Sequence, residues 1–211
     1  MTYRIKEIYF TQQGEGKNTG RDFVFVRFSG CNLWSGKEKN RESAICKFCD
    51  TDFVGIDGPG GGKFATASKL ADHILSKWPK GTNTEPFVVC TGGEPLLQID
   101  SELVEALHDN KFEIAIETNG TIKPPQGIDW ICVSPKAESD VLINKGDELK
   151  LVYPQEGAEP SKYEHLEFDY FSLQPMDSDQ LEENTKKTIE YCNQHPLWRL
   201  SLQTHKFLGI P

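Results

Sequence analysis

The stretch FVFVRFSGC, residues 23–31, is an apolar run that ends in small residues and a cysteine. Continuous apolar runs of this kind, without strict alternation, are typical of strands that are buried on both faces of a parallel sheet or barrel. Similar runs begin at residues 4, 86, 112, 130, 148, 170 and 199. The sequence therefore predicts a sheet that is built largely from parallel strands.

Amphipathic helices are fewer than the predicted strands. Apolar residues recur at helical spacing in three segments, 66–78, 100–110 and 178–194. Thr66, Asp100 and Ser178 are the expected N-caps, because each places a side-chain oxygen in front of its segment. Three helices cannot pair with every strand of a complete β/α barrel. We therefore expect an α/β fold, a modified and partial TIM-like β/α barrel with fewer helices than strands.

The composition limits the classes of protein that fit. The chain has 211 residues, enough for one domain with a sizeable core, and shows neither a repeat nor a linker, so we expect a single domain over 1–211. A net charge of -9 disfavours nucleic acid as a partner. The sequence has no apolar tract of membrane-spanning length and no secretion signal. We expect a cytoplasmic protein that binds no membrane.

Polar and small residues stand where the predicted strands end. In parallel β/α architectures, active sites collect at the C-terminal edges of the strands. These edges carry Ser29-Gly30-Cys31, Thr91-Gly92-Gly93-Glu94, Glu117-Thr118-Asn119, Ser134-Pro135-Lys136, Gln174 and Gln203-Thr204-His205. We expect these groups to converge on one mouth.

Three cysteines, Cys31, Cys46 and Cys49, have the spacing C-x14-C-x2-C. A structural zinc site needs four protein ligands, and the fourth would have to come from a distant cysteine or histidine. An iron–sulfur cluster held by three thiolates would leave one iron open to an exogenous ligand. Unligated cysteines in a loop are the third reading, and the spacing alone does not decide among them.

Further motifs around these cysteines carry a resemblance. The strand that ends in Gly30-Cys31, the Cys46-x-x-Cys49 pair with Phe48 inside it, and the GGEP of residues 92–95 together resemble the radical S-adenosylmethionine (SAM) superfamily. Members of that superfamily usually space their cysteines C-x3-C-x2-C. Residues 32–45 are therefore expected to be an insertion in the cluster-binding loop, which costs little closure entropy.

The ordered set of motifs is similar to a narrower family, the 7-carboxy-7-deazaguanine synthases. The motifs are TQQGEGKNTGRDFVFVRFSGCN (11–32), CDTDF (49–53), TGGEPLLQ (91–98), ETNGT (117–121), VSPK (133–136) and QTHKFLGIP (203–211). The resemblance implies a radical SAM enzyme that converts 6-carboxy-5,6,7,8-tetrahydropterin to 7-carboxy-7-deazaguanine with loss of ammonia. It also implies a [4Fe–4S] cluster, SAM and Mg²⁺ as cofactors, a homodimer, and an electron donor such as flavodoxin.

The resemblance also assigns roles to residues. Cys31, Cys46 and Cys49 would bind the cluster, and Thr51 would bind Mg²⁺. The residues implied in cofactor binding are Phe48, Cys49, Asp50, Gly92, Gly93, Glu94, Asn119, Ser134, Pro135, Lys136 and Gln174. Those implied in substrate binding are Gln12, Gln13, Gly14, Glu15, Arg27, Thr91, His205 and Pro211. Cys90, Cys132 and Cys192 are expected to be small buried apolar side chains.

Arg27 has two readings, because a charge inside the apolar run FVFVRF needs a partner. It can bind the substrate carboxylate, or it can pair with an internal acid such as Glu117. Two other functions also stay open at this point. An activase that generates a glycyl radical on a partner protein would share the cysteine and GGEP motifs, and a zinc-binding module would need no radical chemistry.

Overall fold

The computed structural model describes residues 2–81 and 84–211. The strands are β1 (Tyr3–Gln12), β2 (Asp22–Phe28), β3 (Gly62–Phe64), β4 (Phe87–Gly92), β5 (Glu113–Thr118), β6 (Trp130–Val133), β7 (Lys145–Tyr153), β8 (Glu167–Pro175) and β9 (Trp198–Leu200). The α-helices are α1 (Ala67–Leu75), α2 (Ser101–Asp109), α3 (Leu181–Gln194) and α4 (Thr204–Leu208). None of these helices is long and apolar enough to cross a bilayer, a finding that covers the described residues.

All the strands belong to one sheet, in the order β3-β1-β2-β4-β5-β6-β7-β8-β9. β1 pairs antiparallel with β2 and with β3, whereas β2 and β4 to β9 pair in parallel in chain order. The carboxyl ends of the parallel strands therefore lie at one edge of the sheet. The prediction of a partial β/α barrel with fewer helices than strands is confirmed.

Alternation along β2 separates the two faces of the sheet. Val24, Val26 and Phe28 are fully buried in the main core, which contains the apolar sides of α1 and α2, such as Leu70 and Leu103. Burial of a side chain of this size contributes about 1.5–3 kcal/mol each. The alternate residues of β2 face the other side, where the sheet carries a small apolar cluster and a cavity.

Two of the three predicted helix N-caps are confirmed. The Thr66 side chain accepts a hydrogen bond from the Lys69 amide at 3.3 Å, and Asp100 accepts one from the Leu103 amide at 3.0 Å. Ser178 is wrong as a cap, because α3 begins three residues later, after Gln180, which makes no side-chain cap. The Ser178 hydroxyl instead accepts from the Gln180 amide in the preceding turn.

The strand predicted from residue 199 onward is wrong beyond Leu200. The structure ends β9 there and forms α4 at Thr204–Leu208, whose first amide donates to the Gly14 carbonyl at 2.8 Å. β3 was not predicted, since three residues in a glycine-rich stretch carry no periodic signal. Both short elements are set by contacts with distant parts of the chain, which outweigh local propensity.

Asp100 joins α2 to the sheet, because the same oxygen that caps the helix accepts the Tyr3 hydroxyl at 2.7 Å. Replacing Asp100→Ala removes the cap and leaves the buried tyrosine hydroxyl unpaired, so we expect the free energy of unfolding to fall by about 2–4 kcal/mol. Urea denaturation of the metal-free protein measures it. Ser101→Ala, at an exposed neighbouring position, is the control and should change little. Equal losses in both variants would contradict this role.

Candidate active site

A cavity of about 400 Å³ lies on the face of the sheet opposite the main core and opens where the parallel strands end. Side chains from β1, β2, β4, β5, β7 and β8 line it, together with the loops that follow them. Such a volume is within the range of small-molecule sites. Most of the polar groups predicted at the strand ends therefore converge on one mouth, whereas Ser29, Glu94 and Thr204 do not line it.

Nearly all of the residues predicted for the site line this cavity. They are Gln12, Gln13, Gly14, Glu15, Arg27, Cys31, Cys46, Phe48, Cys49, Asp50, Thr51, Thr91, Gly92, Gly93, Asn119, Ser134, Lys136, Gln174, His205 and Pro211. The exceptions among the predicted residues are Glu94 and Pro135, which the structure places in the buried wall behind the cavity.

The three cysteines lie together at one side of the cavity. The Cys31 sulfur accepts a hydrogen bond from the Leu33 amide at 3.4 Å, and burial raises the pKa of this thiol. Cys46 and Cys49 are hydrogen-bonded to each other, which lowers the pKa of Cys49 to about 6 and raises the pKa of Cys46. The Thr51 hydroxyl and amide also hydrogen-bond to Cys49. The lowered pKa favours the thiolate form of Cys49, which is the form that binds metal.

The number of these thiols fits an iron–sulfur cluster better than a structural zinc site, which needs four protein ligands. Three thiolates of a [4Fe–4S] cluster each bind a different iron and leave the fourth iron open. Within residues 2–81 and 84–211, no group of three or more His, Cys, Asp or Glu side chains forms a site for a single metal ion.

Two glycines bring the end of β4 against the end of β2. A β-carbon on Gly93 would lie 2.0 Å from the Gly30 carbonyl oxygen, and one on Gly92 would lie 2.3 Å from the Phe28 carbonyl oxygen. Gly92 also has a φ of +127°, which L side chains rarely adopt. Glycine is therefore required at both positions for the backbone after β4 to sit beside Cys31.

Glu94 is fully buried, and both of its carboxylate oxygens accept hydrogen bonds from the protein. One oxygen accepts the Leu96 amide at 3.0 Å and the Thr118 hydroxyl at 2.8 Å, and the other accepts the Asn119 amide at 2.8 Å. Burial raises the pKa of Glu94 despite these donors. In the structure this carboxylate joins the loops after β4 and β5, and its role in cofactor binding stays a prediction.

Lys136, Ser134 and Asn119 form the cavity wall beyond these loops. The Lys136 ammonium donates to the carbonyl and the hydroxyl oxygen of Ser134, both at 2.7 Å, and burial lowers the pKa of Lys136. The Asn119 amide side chain donates to Asn32 at 2.9 Å. The loop after β5 is thereby fixed to the segment that follows Cys31.

Across the cavity lies an ionic network that the sequence reasoning missed. The Lys150 ammonium, in β7, is 2.6 Å from Glu15 and 3.2 Å from Glu117, and its side chain is 6% exposed. Burial alone would raise the pKa of Glu15, but Lys150 outweighs it and lowers this pKa to about 2. Gln203 and Gln174 donate to the other Glu15 oxygen at 2.8 and 3.2 Å.

A signal for Lys150 was present in the sequence. The lysine stands between apolar residues in ELKLVYP, and a charge in a buried strand needs opposite charges as partners. What the sequence does not reveal is which carboxylates those partners are, because β7 meets them only through the register of the sheet.

Arg27 lines the cavity as predicted and pairs with an internal acid, but that acid is Glu7 and not the suggested Glu117. Its Nε donates to Glu7 at 2.7 Å on the neighbouring strand β1, and its guanidinium lies 4.6 Å from the Phe25 ring centroid. Glu117 is paired with Lys150 instead. Because a guanidinium has five N–H donors, the pair with Glu7 leaves further donors for an anion.

The segment 203–211 closes one side of the cavity. The Thr204 amide and hydroxyl donate to the Gly14 carbonyl at 2.8 and 3.1 Å, and a Pro211 oxygen accepts the Thr11 hydroxyl at 2.9 Å. A β-carbon on Gly14 would lie 2.2 Å from His205 Nδ1, so only glycine permits this approach.

Lys206 fixes α4 to two loops at the cavity mouth. Its ammonium pairs with Asp50 at 3.1 Å and with Asp177. Asp50 is thereby linked to the segment that closes the cavity, next to Thr51, the predicted Mg²⁺ ligand. Neither Lys206 nor Asp177 was predicted, since nothing in their local sequence indicates that they meet.

A partial β/α barrel with three cysteines beside a Gly-Gly turn, all at the carboxyl edge of its strands, is that of a radical SAM enzyme. The chain is 59% identical to the 7-carboxy-7-deazaguanine synthase of Bradyrhizobium diazoefficiens and 57% identical to that of Caulobacter vibrioides, over the full length of each. The chain belongs to the 7-carboxy-7-deazaguanine synthase family. The resemblance in the motifs is therefore confirmed.

The fold comparison agrees. The structure is similar to the crystal structure of QueE from Escherichia coli, with a TM-score of 0.72 and 27% sequence identity, over 96% of this chain and 94% of that one. No family model matches the sequence. The chain matches these synthases over its whole length, which favours neither a glycyl-radical activase nor a zinc-binding module.

Lys150→Met tests the ionic network. It leaves Glu15 and Glu117 without their cation, so we expect the free energy of unfolding at pH 7 to fall by about 3–5 kcal/mol. Because the pKa of Glu15 is lowered from 4.5 to about 2, the contribution of the pair is complete above pH 4.5 and is lost as the pH falls toward 2. The difference between the two proteins should therefore shrink over that range, as measured by urea denaturation at several pH values.

Lys187→Met is the matched control, because Lys187 pairs with Glu183 on the exposed face of α3. Surface pairs of this kind contribute little. A similar loss of stability in both variants, or a loss at Lys150 that does not depend on pH, would refute the buried network as its cause.

Proposed function

We propose that this chain converts 6-carboxy-5,6,7,8-tetrahydropterin to 7-carboxy-7-deazaguanine with loss of ammonia, as a radical SAM enzyme. One observation carries the proposal: a single cavity holds the three cysteines on one side and a set of ionised carboxylates and amides on the other. The first set suits an iron–sulfur cluster and the second suits a polar heterocycle. Membership of the synthase family supports the same reaction.

The cofactors fit residues that line the cavity. Cys31, Cys46 and Cys49 would bind three irons of a [4Fe–4S] cluster, and the fourth iron would stay open for the amino and carboxylate groups of SAM. When bound, the cluster would supply the one-electron reduction of SAM on which radical SAM chemistry depends. Thr51 would bind Mg²⁺ together with substrate oxygens, in keeping with the preference of Mg²⁺ for few protein ligands.

The protein positions SAM with backbone and with short polar side chains. Gly92 and Gly93 allow close approach of the backbone to the methionine part, and Phe48 packs beside the adenine. Ser134 and Lys136, already joined by two hydrogen bonds, offer a hydroxyl and an ammonium to the ribose or the carboxylate. Rigid placement matters, because a primary alkyl radical abstracts hydrogen from whatever lies nearest.

The opposite side of the cavity would bind the pterin. The 2-amino-4-oxo ring carries N–H donors, and Glu15 stays an ionised acceptor at all physiological pH values because Lys150 lowers its pKa. Gln13 adds an amide, and Arg27 has donors for the substrate carboxylate. His205 and the neighbouring segment cover this side, which keeps bulk water from the reacting atoms.

Four features of organisation belong to the same proposal. Residues 1–211 form one radical SAM domain, and residues 32–45 are an insertion in its cluster-binding loop. The enzyme is a homodimer that takes its electron from a donor such as flavodoxin. The family resemblance supports these statements, and light scattering and reduction by purified flavodoxin test the last two.

The decisive experiment combines the reduced holoenzyme with SAM and the carboxytetrahydropterin under anaerobic conditions. Mass analysis should detect 7-carboxy-7-deazaguanine. An active radical enzyme, shown by cleavage of SAM, that forms no deazapurine would overturn the substrate and leave only the superfamily.

Cys46→Ala should abolish cluster binding and turnover, because two thiolates cannot replace three. Iron and sulfide analysis after anaerobic reconstitution, with the visible absorption of the cluster, measures this. Cys192→Ala, in α3 and outside the cavity lining, should keep full iron content. Stoichiometric zinc without iron in the unaltered protein would count against radical chemistry altogether.

Thr51→Ala should raise the Mg²⁺ concentration needed for half-maximal activity by on the order of tenfold, because it removes a metal ligand. Thr51→Ser keeps the hydroxyl and is the matched control. An unchanged Mg²⁺ titration in the alanine variant would refute the ligand role of Thr51.

A further inference from the structure

Trp34 lies in the segment 32–45 and carries an unusual polar atom. Its side chain lines the cavity beside the three cysteines, and the residue is 7% exposed. Its indole Nε1–H is buried and, alone among the buried side-chain nitrogens and oxygens of the described residues, has no hydrogen-bond partner. Such an orphan donor is costly, so each one in a folded protein calls for an explanation.

The indole ring is held in place from two sides. The Arg41 guanidinium lies 4.0 Å from its ring centroid, and the Phe53 ring contacts it edge-on at 5.6 Å between centroids. Arg41 is itself fixed, because it pairs with Glu38 and donates to the Lys47 and Cys49 carbonyl oxygens at 2.8 and 3.1 Å. The ring therefore cannot readily turn its N–H toward solvent.

The same segment brings this ring to the cluster ligands. The Leu33 and Trp34 amides donate to the Cys31 sulfur. The Leu33 carbonyl accepts the Cys46 amide at 3.4 Å, so the two ends of the segment meet beside Trp34. Thiolate and sulfide sulfurs are hydrogen-bond acceptors, and such bonds are a recognised influence on cluster reduction potentials.

We propose that the Trp34 Nε1–H donates a hydrogen bond to a sulfur of the [4Fe–4S] cluster or of its thiolate ligands. This rests on the proposed function only in requiring that the cysteines bind a cluster. The reduced cluster carries one more negative charge than the oxidised cluster, so an N–H dipole directed at it stabilises the reduced form. Segment 32–45 thus acts on cluster reduction, with Trp34 as the donor and Arg41 as the positioning residue that holds its ring.

The test uses two replacements that remove the N–H, and the second of them also keeps the shape of the ring. One is Trp34→Phe, and the other puts benzothienylalanine at position 34, which keeps the shape of the indole and replaces its N–H with sulfur. The midpoint potential of the reconstituted protein is measured by an EPR-monitored redox titration without SAM and without pterin. We expect both variants to lose roughly tenfold in the equilibrium constant for reduction, or about 59 mV for one electron.

Trp198→Phe is the matched control. Its indole N–H donates to Glu164 at 2.9 Å, and Trp198 is not part of the cavity lining. The control should leave the potential unchanged while losing a hydrogen bond. The melting temperature of the apoprotein tests whether Trp34 has only a structural role. Without a cluster, the Trp34 N–H makes no hydrogen bond that could be lost. The isosteric variant should therefore melt no lower than the unaltered apoprotein.

Each outcome supports or overturns either the hydrogen bond from Trp34 or the proposed function. A more negative potential with an unchanged apoprotein melting temperature, or faster loss of the cluster with that same temperature, supports the proposal. An unchanged potential with full cluster retention, a change that appears only once SAM is added, or a lower apoprotein melting temperature of the isosteric variant overturns it. Failure of the unaltered protein to bind iron would instead overturn the proposed function.

Discussion

The pairing of Lys150 with Glu15 and Glu117 is the interaction on which the cavity depends. A lone ammonium at this depth would lose more solvation than it could regain, and two lone carboxylates would repel each other. The three groups can be buried together because opposite charges are paired. They also connect β7 with β5 and with the loop after β1 across the inner face of the sheet. The substrate side of the cavity is thus held by charges that neutralise one another in large part. The residual negative charge is available to a ligand with N–H donors.

Successive residues of a strand point to opposite faces of the sheet, so the two faces carry different sets of side chains. In β2, Val26 and Phe28 belong to the main core, whereas Arg27 between them reaches the cavity. Stability and chemistry are therefore encoded in alternate residues of the same strands. A shift of register by one residue would exchange the two faces, placing an arginine in the core and a phenylalanine in the site.

Structural features that depend on local sequence pattern were predicted well from the sequence. Features that depend on tertiary contacts were predicted poorly. The strand positions, the Asp100 cap and the gathering of polar residues at one edge follow from periodicity and from the rule for parallel sheets. The burial of Glu94 does not, because the same GGEP turn is compatible with a carboxylate that faces either the ligand or the protein. The partner of Arg27 was also beyond reach, since it required the register between β1 and β2.

The contacts that close the cavity join residues far apart in the chain. Gln203 reaches Glu15 over a sequence separation of 188 residues, and Lys150 reaches it over 135. By contrast, some helix contacts are local, since α1 contacts β3 just before it and α2 contacts β5 just after it. Closing long loops is slow because chain entropy must be lost before the contacts form. The closed cavity is therefore the part of the structure that depends most on distant segments of the chain being in place together.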